Sequence, residues 1–122
     1  MINKVAVIGA GTMGNGITHV FAQAGYSVTL IDVSAPQLEK AIATITKNFD
    51  RQVSKGAVTE EQKQTALSNI ITQTDLAIGV SKADLVVEAA TENTELKLKI
   101  FQQIDAAAPA GCLLATNTSS IS

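Results

Sequence analysis

Three glycines and one aspartate carry the chemistry most plainly legible in this chain. Gly9, Gly11 and Gly14 stand at the spacing Gly-x-Gly-x-x-Gly in the string Gly9-Ala10-Gly11-Thr12-Met13-Gly14, and Asp32 follows. A turn of this kind can hold a diphosphate. Gly9 permits a tight turn, Gly11 lets anionic oxygens approach bare backbone, and Gly14 lets a helix pack closely on a sheet. The N–H groups at the helix mouth, with their partial positive charge, then face the phosphates. An acid about 20 residues further on can accept hydrogen bonds from both hydroxyls of an adenosine ribose. A 2′-phosphate would meet the Asp32 carboxylate, and no Arg follows it to offset the repulsion. The residues therefore predict NAD rather than NADP.

That spacing means little unless the right elements surround it. Before it stands Lys4-Val5-Ala6-Val7-Ile8, a β-branched strand pattern. After it, residues 12–24 read as a helix with Met13, Ile17, Val20, Phe21 and Ala24 as a core-facing stripe. Gly25 and Tyr26 turn the chain into Ser27-Val28-Thr29-Leu30-Ile31, which stops at Asp32. Strand, glycine turn, helix, strand and acid arrive in the order a dinucleotide site requires. Gly16 is a small residue suited to close approach of sheet or cofactor. His19, the single histidine, lies well past the phosphate turn and reads as an ordinary helix residue rather than a base for hydride chemistry.

Beyond Asp32, Ser34 is a helix N-cap, with Pro36 in the first turn and Gln37 completing a capping box. The helix runs to about residue 55 and is ended by Gly56. Leu38, Ile42, Ile45, Phe49 and Val53 form one face. Lys40, Lys47, Arg51 and Lys55 fall within about an 80° arc opposite, and Glu39 and Asp50 stay off it. Such a run is commonly a solvated face, yet an unmixed basic set also suits a phosphate-rich partner. Thr59-Glu60-Glu61-Gln62 starts a second helix, to residue 68 or 69. The resulting hairpin, about 35–69, is longer than a simple crossover needs, and such elaborations often carry function.

Strands follow at 70–74, 85–90 and 113–115, with a short helical piece in 75–82 and a helix over 94–107 that buries Leu96, Ile100, Phe101 and Ile104. The expected fold class is α/β, a Rossmann-type doubly wound, mainly parallel sheet carrying an inserted helical hairpin. In such sheets ligands gather beyond the carboxyl ends of the strands. The glycine turn, Asp32, loop 89–93 and loop 117–120 lie there. Ser119 is a functional candidate on that ground, although Ser and Asn also serve turns.

At 122 residues the chain suits one domain, 1–122, with 46% hydrophobic and 16% charged residues. Nine basic and eleven acidic residues give a net charge of −2, which argues against nucleic acid. One cysteine, Cys112, excludes an internal disulfide framework and fits a reducing compartment. It precedes an apolar strand and is expected to be a buried, inert thiol. Only Met1-Ile2-Asn3 precedes the first strand, which leaves no room for a leader, and no apolar run approaches about 18 residues. The expectation is a cytoplasmic protein with no membrane or metal partner.

Several longer strings resemble the NAD-binding domain of the 3-hydroxyacyl-CoA dehydrogenase family. They are residues 7–17 around the glycines, Asp84-Leu85-Val86-Val87-Glu88-Ala89 with Glu92-Asn93, and Ala115-Thr116-Asn117-Thr118-Ser119-Ser120-Ile121. The resemblance implies that Gly9, Ala10, Gly11, Thr12, Met13 and Gly14 hold the pyrophosphate of NAD and that Asp32 holds the adenosine ribose. It places Ala89, Glu92 and Lys97 near the nicotinamide half. Ser119 would contact both the nicotinamide and the substrate's 3-oxygen, with Asn117 beside it, and Asn48, Arg51 and Lys55 would meet the phosphates of CoA. The implied reaction is reversible hydride transfer between C3 of an L-3-hydroxyacyl-CoA and C4 of nicotinamide, with a histidine handling the hydroxyl proton and a glutamate orienting it. In the family that pair, and the helical domain that makes a homo-oligomer, come after the position of Ser122. The chain so read is a domain-only fragment that binds NAD without turnover. Two rivals remain: a stand-alone nucleotide-binding module, and a β-hydroxyacid dehydrogenase that does not use CoA.

Overall fold

The computed structural model describes residues 2–89 and 94–116. Five strands, β1 (Lys4–Ile8), β2 (Ser27–Ile31), β3 (Ile70–Gln73), β4 (Leu85–Glu88) and β5 (Leu113–Thr116), form one sheet in the order β3-β2-β1-β4-β5. Every pairing is parallel. Five helices connect them: α1 (Thr12–Gln23), α2 (Ala35–Ser54), α3 (Glu60–Ser68), α4 (Leu76–Val80) and α5 (Thr94–Ala107). This is the doubly wound order, and the strand order reverses between β1 and β4, where such sheets open a crevice.

The central strands β1, β2 and β4 are largely apolar because both of their faces are covered. Val5, Val7, Val28, Leu30 and Val87 pack against Ala22 of α1, Ala66 of α3 and the α2 residues Leu38, Ala41, Ile45 and Phe49. On the other face Ala6, Ile8, Ile31 and Val86 meet Val80, Ala83, Ile100 and Ile104. β5 departs from this pattern: Leu113 and Leu114 are exposed, as befits a strand with one neighbour among the described residues.

α1 corrects the expected stripe. Met13 is 48% and Val20 65% exposed, and Ala24 is the exposed C-cap rather than a helical core residue. The buried positions are Gly14, Thr18 and Ala22, with Ile17 and Phe21 partly buried. Small side chains at i, i+4 and i+8 win because the helix sits too close to β1 for anything larger. A Cβ on Gly14 would land on the carbonyl oxygen of Gly9. Gly16, by contrast, has nothing within 4 Å of a Cβ and does not serve packing on the sheet.

The hairpin forms as expected, with one change at its first cap. Ser34 Oγ accepts from Gln37 N at 3.2 Å, but the Gln37 side chain does not close the box; it donates elsewhere, and Ser34 N donates to Asp32 Oδ1. Thr59 and Gln62 make the full reciprocal pair at 3.0 and 2.8 Å. Gly56 follows α2 with φ +76°, a conformation that favours glycine. His19 stacks on Phe49, ring centroids 3.8 Å apart, and its Nε2 lies 2.8 Å from Gln52 Oε1, so it ties α1 to α2. Cys112 is half-buried rather than buried, with its thiol pKa pushed up mainly by that burial. The expected side chain Leu96 lies outside the described side chains.

Candidate functional site

The glycine turn is built as its sequence demands. Gly9 leaves β1 with φ +106°, and its N–H donates to Ile31 O at 2.7 Å, binding the turn to the end of β2. Gly11 is the N-cap of α1, extended at φ −84° and ψ −169°, and no side chain caps the helix there. A Cβ at Gly11 would meet nothing within 4 Å, so the space above it is open. Gly11 thus leaves room for a ligand, whereas Gly14 leaves room for Gly9.

Asp32 ties the glycine turn to the β2–α2 junction. Its Oδ2 accepts from Ala10 N at 3.0 Å and its Oδ1 from Ser34 N at 2.9 Å. Gln37 Nε2 donates to Ala10 O at 3.0 Å. Both ends of the Ala10 residue are therefore gripped from the β2–α2 junction, one by the acid and one by the amide. With its side-chain nitrogen turned inward, Asn15 also donates to Gly11 O at 3.1 Å and Ala10 O at 3.2 Å. Each Asp32 oxygen has a further lone pair for a ribose hydroxyl. The turn is held rigid before any ligand arrives, which is the preorganisation a tight diphosphate site needs.

A cleft runs from this turn along α2, lined on one side by Ala10, Gly11, Thr12 and Asn15 and on the other by Gln37, Lys40, Thr44 and Asn48. These groups suit a dinucleotide: unobstructed backbone at a helix mouth, an acid at the end of the next strand, and amide and hydroxyl groups along the wall. A family model described as the NAD-binding domain of 3-hydroxyacyl-CoA dehydrogenase matches residues 4–122. The chain belongs to this family. Its cofactor is NAD.

Relatives of this NAD-binding domain agree. A 3-hydroxybutyryl-CoA dehydrogenase of Bradyrhizobium diazoefficiens is 51% identical over all 122 residues, which cover 41% of that protein. A 3-hydroxyadipyl-CoA dehydrogenase of Escherichia coli is 44% identical over 99% of the chain and 25% of its own length. The crystal structure of (S)-3-hydroxybutyryl-CoA dehydrogenase from Ralstonia eutropha superposes with a TM-score of 0.93 at 42% identity, covering all of this chain and 43% of that one. The chain thus spans about two-fifths of the length of the Bradyrhizobium and Ralstonia enzymes.

The predicted site residues separate into three groups. Gly9, Ala10, Gly11, Thr12, Met13, Gly14 and Asp32 come together at the carboxyl edge of β1 and β2. Ala89 joins them from the end of β4, its N–H donating to Ile8 O at 2.8 Å. Lys97, on the first turn of α5, pairs with Glu88 at 3.5 Å. Asn48 lines the cleft, while Arg51 and Lys55 stand farther along α2, exposed. Glu92, Asn117 and Ser119 lie outside the described residues.

Two residues of this neighbourhood were not singled out from sequence as contributors. Gln37 was assigned to a capping box, and only the fold reveals Ala10 within its reach. Glu88 carried a signal that could have been used: a charge inside the otherwise apolar run Leu85-Val86-Val87-Glu88-Ala89.

Proposed function

We propose that the whole protein is an NAD-dependent oxidoreductase that interconverts L-3-hydroxyacyl-CoA and 3-oxoacyl-CoA, of the 3-hydroxybutyryl-CoA/acetoacetyl-CoA type. One observation carries the choice of a CoA substrate. Lys40, Lys47, Arg51 and Lys55 are all exposed, and none has an ion-pair partner among the described residues. Asp50, the acid next to Arg51 in sequence, is engaged by Lys63 from α3. The basic face continues from the same cleft that Lys40 and Asn48 line, so a phosphate-rich handle could lie beside the dinucleotide.

In this reading residues 9–14 bind the pyrophosphate by backbone N–H groups and Asp32 binds the adenosine ribose. Ala89, Glu92 and Lys97 border the nicotinamide half, and Asn48, Arg51 and Lys55 meet the CoA phosphates. NAD supplies hydride exchange at C4 of its nicotinamide. Ser119 orients the substrate's 3-oxygen by a hydrogen bond, with Asn117 fixing that loop. The proton on the 3-oxygen is handled by a histidine beyond Ser122, in a segment that also forms a second domain and a homo-oligomer interface. We place the protein in the cytoplasm; among the described residues no helix is long and apolar enough to cross a membrane.

Calorimetric titration with NADH tests the cofactor half of this reading. The 122-residue chain should bind, Asp32→Ala should weaken binding at least tenfold, and an unchanged affinity in that variant overturns the pose. The substrate half is tested on the full-length protein, where acetoacetyl-CoA should be reduced and free acetoacetate should not compete. The isolated chain should turn over at least about 10²–10⁴-fold more slowly, the usual worth of acid–base assistance.

A further inference from the structure

Gly16 is a glycine that the fold of α1 does not require. It stands in the second turn of the helix, where glycine is the least favourable residue after proline. Its φ is not positive, so it holds no conformation that alanine would refuse. A Cβ there would meet nothing within 4 Å, so no neighbour needs the space. Gly9 and Gly14 answer to the protein's own geometry, whereas Gly16 lines the cleft, on the wall opposite Lys40, Thr44 and Asn48. One turn farther on, His19 stacks on Phe49 and its Nε2 lies 2.8 Å from Gln52 Oε1, so the two helices meet there side chain to side chain. The groove between α1 and α2 is open beside Gly16 and shut at His19.

In the reading above the nicotinamide half lies toward β4, while Arg51 and Lys55 lie on α2, which follows β2. α1 joins β1 to β2 and stands between the two. Arg51 is about 20 Å beyond Gln37 along α2 by helical rise. A substrate with its phosphates at that face and its reacting carbon at the cofactor edge needs a long linker, and the linker must cross α1. Beyond Lys40 the α2 wall of the groove is Ala41, Thr44 and Asn48, which carry no charge, and Thr44 Oγ1 already donates to Lys40 O at 3.0 Å. Such a passage suits a slender neutral chain better than a phosphate, which would lose water there without gaining a cation.

We propose that Gly16 is a specificity-determining residue: the bare backbone of α1 at this position lets the pantetheine arm of a CoA substrate lie in the α1–α2 groove, between the cofactor edge and the phosphates on α2. This rests on the CoA reading above. Glycine is the residue that admits close approach of a ligand to backbone. A side chain at position 16 would take up the width of the groove and hold the arm off the helix.

The test titrates CoA, adenosine 3′,5′-bisphosphate and NADH into the 122-residue chain and its variants. The bisphosphate carries most of the CoA head group and none of the arm. Gly16→Val should lower CoA affinity about tenfold and leave the bisphosphate and NADH within about twofold. Gly16→Ala should melt at or above the wild type, since alanine is the better helix former, and still bind CoA about threefold more weakly. The inference fails if Gly16→Val leaves CoA affinity unchanged, if it weakens the bisphosphate or NADH as much as CoA, or if Gly16→Ala melts below the wild type. Arg51→Glu with Lys55→Glu serves as the control on the underlying reading. If that pair lowers CoA affinity and the Gly16 variants do not, only the route of the arm is lost; if the wild type binds no CoA, or the charge reversals change nothing, the CoA reading fails and this inference with it.

Discussion

Gly11 and Gly14 are both glycines of one motif, yet they answer to different demands. At Gly14 a methyl group would collide with the Gly9 backbone, which cannot yield without moving β1 or α1. At Gly11 the same methyl meets open space. Gly14→Ala should therefore destabilise the fold by about 3 kcal/mol or more, at the upper end of overpacking. Gly11→Ala should cost the fold no more than about 1 kcal/mol, the ordinary range at an N-cap, while NADH affinity falls at least tenfold. Thermal denaturation with NADH titration of both variants checks this. Asp32 combines two duties in the proposed reading: it accepts from Ala10 N and Ser34 N, and it would also hold the adenosine ribose. Its substitution should loosen the glycine turn as well as remove a ligand contact.

Among the elements, α2 and α3 form an elaboration whose order rests on local chemistry. Thr59 and Gln62 satisfy each other's backbone N–H groups, and Lys63 reaches from α3 to Asp50 on α2. Thr59→Ala should cost about 1 kcal/mol, the ordinary worth of an N-cap, measured by urea denaturation. The arrangement also keeps Asp50 from neutralising the basic face. Arg51→Glu with Lys55→Glu should weaken CoA binding at least tenfold, with a strong dependence on salt, and leave NADH binding unchanged. Titration of CoA and NADH into the double variant separates the two. His19, stacked on Phe49, belongs to this scale too, since it joins α1 to α2.

Across the whole molecule the sheet has a cofactor edge and an anchoring edge. At the latter, Asp84 Oδ2 accepts from Asn3 N and Lys4 N, both at 2.9 Å, while its backbone joins β1 and β5. The N–H groups of Asn3 and then Lys4 hold the Asp84 carboxyl below its ordinary pKa. A carboxyl depressed in the folded state contributes its stability above its unfolded value, near pH 4, and loses it as pH falls through the folded value. Asp84→Asn should melt lower than the wild type at neutral pH, and the gap should narrow progressively below about pH 4. Thermal melts across that range measure it.

The sequence by itself determined the order of elements, the dinucleotide turn, its acid and the hairpin, because each is written in local chemistry: glycine spacing, caps, and hydrophobic period. The match to the family then followed from strings longer than any one motif. Tertiary structure decided which face of α1 is buried, since apolar periodicity at Met13 and Val20 cannot reveal that a helix lies too close to a strand for large side chains. It also decided what Gln37 and Glu88 do. A side chain's partner across the fold, Ala10 for one and Lys97 for the other, is fixed by how β1, β2, β4 and α5 converge at one edge, and no spacing along the chain encodes that convergence.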